Sequence, residues 1–381
     1  MLGTFGMRPK ATMGSRALGM AQMLCDLGWD AAIFTVPWDY PSDAGRSWTE
    51  SDVQVRNTRV TSPYLCPMAV AEIVRYARAF KPDLIHIFKP KGFGDLAARW
   101  LDRTYPVVVD MDDWEGNGGW NDSGLYPGPQ QRLFDWQERT LPRRARAVTI
   151  ASQVLKDRAL EGGTGPRGVF YIPNGLTTAR FDMLSRSCRN KSGQTILLYT
   201  RFVEFDPATI AEVLAMVRRS VPETKLLVAG GSSDGASEGR LKAAAERLGV
   251  AQVIEWAGWV EPSDLAEIAA RCRLAIHPFD DTLLNRAKCS VKLLELMACG
   301  LPVVTTPVGE NASFIEEGRS GLLVKPSDAS GLAAAVVDLL DNPRRCDQIG
   351  RAARARVGEH FLWAHRAGTL RAAYDYALGR R

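Results

Sequence analysis

Apolar runs of strand length alternate with amphipathic stretches of helix length along most of this 381-residue chain. Predicted strands include residues 30–36, 83–88 and 106–111 in the first half, and the segments TILLYT and KLLVAG in the second. Such alternation is typical of βαβ units, in which helices cover both faces of a parallel sheet. Because the chain is too long for one compact core, the sequence predicts two α/β domains, each with a doubly wound parallel sheet.

A polar stretch, residues 183–194, interrupts this rhythm and is the best candidate for an interdomain linker. The predicted domains are therefore residues 1–182 and residues 195–361, followed by a last amphipathic helix over residues 362–378. Ligands of doubly wound sheets bind beyond the carboxyl ends of the strands. The functional site is therefore expected in a cleft between the two domains.

Composition and charge exclude several classes of protein. Residues are 46% hydrophobic and 24% charged, as in ordinary soluble globular proteins. The net charge of +5 and the lack of a dominant basic block argue against a nucleic-acid partner, but suit an anionic small molecule or an acidic membrane surface. No apolar run reaches membrane-spanning length and no signal peptide is recognisable, so a cytoplasmic location is predicted, with peripheral membrane attachment left open. The seven cysteines contain no CxxC pair, so neither a disulfide framework nor a zinc site is predicted.

The segment DDTLLNRAKCSVKLLELMACGLPVVTT, residues 280–306, is the most informative part of the chain. Ser290 is suited to cap a helix whose other residues are mostly apolar. Glu295 stands inside this helix, and a buried carboxylate needs hydrogen-bond donors. Ribose hydroxyls are one source of donors, and a surface ion pair with Lys292 or Arg271 is the alternative.

ELMACGLPVV, residues 295–304, resembles the nucleotide-binding signature of glycosyltransferase family 4, whose members have the GT-B fold of two Rossmann-like domains facing a cleft. The resemblance implies that Glu295 binds the ribose of a sugar-nucleotide donor. It also implies that amides near Ser290 and Val291 face the diphosphate, as helix starts do for anions.

The family has an earlier glutamate where this chain has Ala287, so this chain lacks the family's usual carboxylate for the transferred sugar at that position. Asn285, Lys288 and Lys292 surround this position and are candidate donor contacts. Lys288 and Lys292 are placed to neutralise phosphate. For both lysines a solvated helix entrance is the alternative.

TILLYTRF, residues 195–202, resembles the family's strand that ends in Gly-Arg. The resemblance implies that Arg201 contacts the leaving diphosphate at the carboxyl end of a strand. The family's following lysine is missing, since Asp206 stands near that position, and Lys288 is a candidate replacement. An ion pair between Arg201 and Glu204 is the alternative role.

Three further segments resemble family motifs. AGWV, residues 257–260, stands where the family's base pocket lies, which makes Trp259 and Val260 candidate base contacts. KATMGSR, residues 10–16, resembles the family's first loop, so Gly14 and Ser15 are candidates for contact with the diphosphate or the acceptor, with simple helix capping as the alternative. PDLIHIFKP, residues 82–90, departs from the family because Phe88 replaces a histidine.

The segment DMDDWEGNGGW, residues 110–120, combines carboxylates, glycines and tryptophans after a predicted strand. Asp112, Asp113 and Trp114 are candidate acceptor contacts, together with Trp38, because such side chains bind sugar hydroxyls and stack on sugar faces. A loop held together by tryptophan packing is an equal alternative. The carboxylates lack metal-ligand spacing, so no metal site is predicted.

The resemblance implies a retaining glycosyltransferase, in particular a hexosyltransferase, that works without a metal. The nucleoside-diphosphate sugar is a co-substrate, no cofactor is predicted, and the acceptor is a sugar or a lipid-linked molecule of unidentified structure. The resemblance further implies that helix 362–378 packs back on the first domain.

The departures at Ala287, at Phe88 and after Arg201 motivate one alternative, a non-catalytic GT-B relative that binds a nucleotide or a protein partner. A two-domain dehydrogenase would need a GxGxxG motif, which the sequence lacks.

Overall fold

The computed structural model of the protein describes residues 1–8, 12–123, 126–186, 193–232 and 235–380. The chain divides into two compact units. Unit 1 consists of Met1–Gly175, Ala287–Cys289 and Trp363–Arg381, and unit 2 consists of Leu176–Arg286 and Ser290–Leu362.

Unit 1 contains an eight-stranded sheet. Its strands are β1 (Leu2–Gly3), β2 (Ala32–Thr35), β3 (Ser47–Glu50), β4 (Val53–Asn57), β5 (Ile85–Phe88), β6 (Val107–Met111), β7 (Ala147–Ile150) and β8 (Val169–Tyr171). They are ordered β3-β4-β2-β1-β5-β6-β7-β8, and every neighbouring pair is parallel except β3–β4. Strands β3 and β4 form a hairpin that the sequence pattern did not predict. Their exposed faces are polar, so neither forms a continuous apolar run.

A π-helix over Thr12–Ala17 leads directly into the first α-helix of unit 1. The helices that follow in this unit are α1 (Leu18–Asp26), α2 (Cys66–Phe80), α3 (Gly92–Leu101), α4 (Gly128–Arg144) and α5 (Gln153–Glu161). Their buried faces pack against the sheet and one another, as the predicted amphipathic periodicity requires. A π-helix is rare and frequently marks a functional site.

Unit 2 contains a six-stranded sheet in which all neighbouring strands are parallel. Its helices are α6 (Thr178–Arg186), α7 (Pro207–Ser220), α8 (Ala236–Arg247), α9 (Leu265–Ala270), α10 (Leu283–Arg286), α11 (Val291–Ala298), α12 (Asn311–Phe314), α13 (Ala329–Asp341) and α14 (Pro343–His360). Its strands are β9 (Thr195–Tyr199), β10 (Lys225–Ala229), β11 (Ile254–Gly258), β12 (Leu274–His277), β13 (Val303–Thr305) and β14 (Leu322–Leu323). They are ordered β11-β10-β9-β12-β13-β14, so β9 and β12 are central. Among the described residues, none of the helices has the length and apolar character needed to cross a bilayer.

The two units meet in sequence at Gly175 and Leu176, and not within residues 183–194. Residues 183–186 are the last turn of α6, and residues 187–192 lie outside the described residues. Helix α6 belongs to unit 2 because it packs on α9 and α11. The unit boundaries therefore differ from the expected domain limits of 182 and 195.

The last helix, α15 (Ala367–Ala377), belongs to unit 1, where it packs on β7 and β8. Its Tyr374 hydroxyl lies 2.9 Å from Nδ1 of His86 on β5. Nε2 of His86 lies 3.1 Å from the Thr149 hydroxyl on β7. His86 is thus a core residue whose two ring nitrogens both have hydrogen-bond partners.

Because His86 is buried, we expect its contribution to the free energy of unfolding to depend on pH. Burial lowers the pKa of His86 from 6.5 to about 3. An unfolded chain therefore takes up this proton below pH 6.5 while the folded chain does not, so the contribution is present above pH 6.5 and is lost as pH falls towards 3. We expect the difference in free energy of unfolding between wild type and His86→Gln to shrink by about 2 kcal/mol from pH 7 to pH 5 in urea titrations. A difference independent of pH over this range would contradict the prediction.

Candidate functional site

In unit 2 the carboxyl ends of two adjacent central strands meet the start of helix α11. His277 ends β12, and its Nε2 lies 2.9 Å from the hydroxyl oxygen of Ser290. The same oxygen accepts the amide of Leu293 at 3.3 Å, so Ser290 caps α11 as the sequence predicted. Val291 is the first residue of α11 and is half-buried.

Tyr199, at the end of β9, lies beside the same helix. The ammonium of Lys292 on α11 is 4.5 Å from the centre of the Tyr199 ring, a cation–π distance. Burial raises the pKa of Tyr199, the Glu295 carboxylate raises it further, and the guanidinium groups of Arg180 and Arg201 lower it. Glu295 and Arg201 therefore both act electrostatically on one phenol group. Arg201 itself is half-buried, two residues beyond Tyr199.

Glu295 forms an ion pair that the sequence did not predict. Its Oε1 accepts hydrogen bonds from Nε and Nη2 of Arg180, at 2.9 and 2.5 Å. Both suggested surface partners are wrong, because Arg271 pairs with Glu255 and Lys292 lies over Tyr199. Glu295 is only 9% exposed, which agrees with the expected need for donors. Arg180 lies 115 positions from Glu295, on α6 within the expected first domain, and no motif marks it.

The loop after β11 carries the two candidate base contacts. Trp259 is 60% exposed, and its indole N–H donates to Glu261 at 3.2 Å. Val260 is buried. The carbonyl oxygen of Pro262, further along the loop, accepts a hydrogen bond from Nη1 of Arg180. Arg180 therefore contacts both Glu295 and this loop.

The residues between α10 and α11 have more specific environments than the sequence indicated. The side-chain amide of Asn285 donates to the carbonyl oxygens of Glu204 and Asp280, at 2.7 and 2.9 Å, so its observed contacts hold the backbone of the loop. Ala287–Cys289 belongs to unit 1, where the hydroxyl of Ser152 donates to the Ala287 carbonyl at 2.8 Å.

Lys288 belongs to this short segment and is buried, with its ammonium 5.4 Å from the centre of the Trp120 ring. A solvated helix entrance is therefore wrong for Lys288.

Arg16 anchors the π-helix of unit 1. It is 1% exposed and donates two hydrogen bonds to the Asp110 carboxylate, at 2.6 and 2.7 Å. Its Nη1 donates to the Ile172 carbonyl and to the Asn174 side chain, at 3.0 and 2.9 Å. The neighbouring Ser15 carbonyl accepts the indole N–H of Trp363 at 3.2 Å.

Gly14 precedes Ser15 in the π-helix and is half-buried. Among the described residues outside its own helix backbone, a Cβ atom on Gly14 would meet the Met7 carbonyl oxygen at 3.6 Å, which is an ordinary van der Waals distance.

A buried charge cluster lies at the carboxyl ends of β5 and β6. The ammonium of Lys89 contacts Asp112, Asp113 and Glu115 at 3.4, 2.9 and 2.7 Å. Burial raises the pKa of Asp112 to about 6; Lys89 opposes this shift, and Asp113 adds to it. Asp112 and Asp113 were predicted as acceptor contacts. Lys89 and Glu115 were missed because no motif connects them.

Trp114 packs against other residues of its own loop. It is buried, and its indole N–H donates to the Asn117 carbonyl at 2.8 Å. A Cβ atom on Gly119 would lie 2.2 Å from the Trp114 carbonyl oxygen, so only glycine fits there. This favours the alternative of a loop held by tryptophan packing over a sugar-stacking role for Trp114. Trp38 is half-buried, and its ring lies 6.0 Å from that of Phe5.

Within the described part of the chain, no group of three or more histidine, cysteine, aspartate or glutamate side chains is arranged to hold a metal ion. The six described cysteines are free thiols.

Two family models match this chain. Residues 11–175 match the "Glycosyl transferase 4-like domain", and residues 194–342 match "Glycosyl transferases group 1". The chain belongs to the group 1 glycosyltransferases. The family predicted from ELMACGLPVV is thereby confirmed, and this glycosyltransferase has a match on each side of the expected linker.

Known proteins support the same assignment. The chain is 28% identical to glycogen synthase of Mycobacterium tuberculosis (strain H37Rv) over 289 residues, which is 75% of this chain and 67% of that protein. It resembles sucrose-phosphate synthase from Thermosynechococcus elongatus with a TM-score of 0.73 and 20% identity, over 94% of this chain and 92% of that one. It resembles Anabaena HepE in complex with UDP and glucose with a TM-score of 0.72 and 17% identity, over 98% of both chains. These likenesses confirm the predicted GT-B fold.

Proposed function

We propose that this glycosyltransferase transfers a hexose from a nucleoside-diphosphate sugar to an acceptor hydroxyl, with retention of anomeric configuration. The observation that carries the proposal is the environment of Glu295 in unit 2. One oxygen of this carboxylate accepts hydrogen bonds from Arg180. Ser290 caps the same helix, and Arg201 follows the end of β9 and acts on Tyr199 as Glu295 does, with the opposite sign. A carboxylate for ribose and positive groups for a diphosphate are what such a donor requires.

Each predicted donor contact has a role in this proposal. Glu295 accepts hydrogen bonds from the ribose, the amides at Ser290 and Val291 face the diphosphate, and the loop of Trp259 and Val260 borders the base. Lys292 and Arg201 add positive charge near the phosphates. Arg201 meets the charge of the leaving group, Lys288 stays a predicted phosphate contact, and Asn285 orders the loop before α11. Gly14 and Ser15 stay predicted contacts of the donor or the acceptor.

The transfer needs no covalent enzyme intermediate. The bond between the anomeric carbon and the diphosphate oxygen breaks, and the acceptor oxygen bonds to that carbon on the same face. The proton of the acceptor hydroxyl passes to the released diphosphate. Fixed cations and helix-start amides stabilise the new negative charge, so the proposed reaction is independent of a metal and unaffected by EDTA.

Unit 1 is proposed to bind the acceptor, with Asp112, Asp113 and Trp38 as its candidate contacts. Peripheral contact with an acidic membrane also stays a proposal. It is supported by the exposed side chains of Trp100 and Trp136 on α3 and α4, with Arg99 stacked 4.0 Å from the Trp136 ring centre. Co-sedimentation with anionic vesicles at low salt measures this contact.

The decisive test combines a donor screen with Glu295→Gln. Thermal shift against UDP-, GDP-, dTDP- and ADP-sugars identifies the donor, because a ligand stabilises the fold that binds it. We expect Glu295→Gln to weaken binding of the matching nucleoside diphosphate about 10- to 100-fold, since it removes a charged hydrogen-bond acceptor. Isothermal titration calorimetry measures the Kd.

The matched control is Glu255→Gln, which removes an exposed carboxylate of the same unit that pairs with Arg271. Its Kd is expected to equal that of wild type. Equal loss in both variants, or none in Glu295→Gln, would contradict the proposal. Binding without turnover across the whole donor panel would favour the non-catalytic alternative.

A further inference from the structure

All three guanidinium nitrogens of Arg180 donate hydrogen bonds, and these go to two residues. Nε and Nη2 donate to a single oxygen, Oε1 of Glu295, at 2.9 and 2.5 Å. Nη1 donates to the carbonyl oxygen of Pro262. The side chains of Arg180 and Glu295 are 15% and 12% exposed, so water screens their attraction only weakly.

The two carboxylate oxygens of Glu295 differ in how many hydrogen bonds they accept. Among the residues that the structure describes, Oε1 takes both hydrogen bonds from Arg180 and Oε2 takes none. A carboxylate oxygen accepts more than one hydrogen bond, so Oε2 keeps its full accepting capacity. Arg180 therefore holds the carboxylate in one rotation, with Oε2 available to a ligand.

Through its hydrogen bond to the Pro262 carbonyl, Arg180 also holds the loop between β11 and α9. Pro262 lies three residues beyond Trp259, on the loop that leads from β11 to α9. Helix α6, which carries Arg180, packs against both α9 and α11. One side chain thus connects the carboxylate on α11 to the loop proposed to border the base.

We propose that Arg180 is a positioning residue for the donor nucleoside. It fixes Glu295 so that Oε2 accepts a ribose hydroxyl, and it holds the Trp259–Pro262 loop in register with that carboxylate. This inference rests on the proposed function, in which Glu295 binds ribose. Arg180 itself touches neither the sugar nor the phosphates, so it acts on donor affinity and not on the chemical step.

The geometry requires arginine specifically. A guanidinium presents several N–H donors in a rigid plane, so it reaches the carboxylate twice and the Pro262 carbonyl once. A lysine ammonium is a single point of charge and holds the carboxylate without fixing its rotation. Arg180→Lys is therefore expected to restore part of the affinity that Arg180→Gln loses.

The test compares nucleotides that differ in one hydroxyl. Calorimetry would give the Kd of the ribonucleoside diphosphate and of its 2′-deoxy and 3′-deoxy forms for wild type, Arg180→Gln, Glu295→Gln and the double variant. We expect Arg180→Gln to weaken ribonucleotide binding about 10-fold, the size of one lost charged hydrogen bond. For the deoxy form that lacks the contacted hydroxyl, the loss is expected to be less than about 3-fold, because the two changes share one interaction.

Kinetics give a second readout. In Arg180→Gln the KM for the donor is expected to rise about 10-fold while kcat changes less than about 3-fold, since binding common to ground and transition states is lost. The matched control is Arg271→Gln, which removes another arginine–glutamate pair of unit 2 that is exposed. Its Kd and KM are expected to match wild type.

The possible outcomes distinguish failure of the positioning role of Arg180 from failure of the proposed ribose contact of Glu295. If Arg180→Gln weakens ribo- and deoxyribonucleotides equally, or if Glu295→Gln loses affinity and Arg180→Gln does not, the positioning role is overturned. If Glu295→Gln binds as wild type does, and wild type does not discriminate either deoxy form, the proposed ribose contact itself fails. Thermal melting of each variant without nucleotide identifies any that are unfolded, and Arg180→Lys then provides the comparison.

Discussion

Replacing Arg201 by alanine is expected to reduce kcat by about 10²- to 10³-fold while the protein stays folded. Arg201 follows the carboxyl end of β9 and lowers the pKa of the half-buried Tyr199 phenol, which Glu295 raises. In the proposed reaction its guanidinium meets the negative charge that develops on the leaving diphosphate. A preorganised cation contributes most at that moment, because it needs no reorientation as the charge forms.

Steady-state kinetics with the donor found by the screen measure this effect. The matched control is Arg219→Ala, an exposed arginine at the end of α7 on the same unit, for which kcat is expected to be unchanged. Circular dichroism and thermal melting verify that both variants are folded. Normal turnover by Arg201→Ala would remove Arg201 from the mechanism.

The Arg16→Met variant is expected to lower the free energy of unfolding by about 3–5 kcal/mol. Arg16 and Asp110 are 1% and 0% exposed, and their side chains form two hydrogen bonds. Methionine leaves the Asp110 carboxylate buried without its cation, and this uncompensated charge is the main cause of the loss. The contacts of Arg16 with Ile172 and Asn174 are lost as well.

The double variant Arg16→Met/Asp110→Leu provides the control for this mechanism. It removes both charges, so it is expected to recover a large part of the stability lost by Arg16→Met alone. Chemical denaturation followed by circular dichroism measures all three proteins. A loss below about 1 kcal/mol in the single variant would show that the buried pair does not control stability. No recovery in the double variant would assign the loss to packing instead of charge.

The repeated local pattern was sufficient to predict both α/β units. Central strands such as β9 and β12 are short apolar runs because both of their faces are covered, and that run is visible without a structure. The cap at Ser290 was predictable for the same reason, since a hydroxyl residue at a helix start acts on amides of its own first turn. The antiparallel hairpin β3–β4 was missed because its polar alternate positions interrupt the apolar signal.

Partners distant in sequence were not predictable in this way. Glu295 was expected to need donors, but its partner Arg180 lies 115 positions away on a helix with no motif. Trp114 was a candidate for stacking on a sugar, and only the packing of Gly119 against it shows its place in the loop. Asn285 and Lys288 are only three positions apart in the segment 280–306, yet they belong to different units.

The sequence by itself determined the family, the GT-B fold and the elements that carry the candidate donor contacts, because these depend on residue type and local spacing. The tertiary structure alone decided which oxygen of Glu295 is occupied, which loop Arg180 joins to it, and where the unit boundary falls. These outcomes depend on how helices far apart in sequence pack together, and periodicity within one element contains no information about that packing.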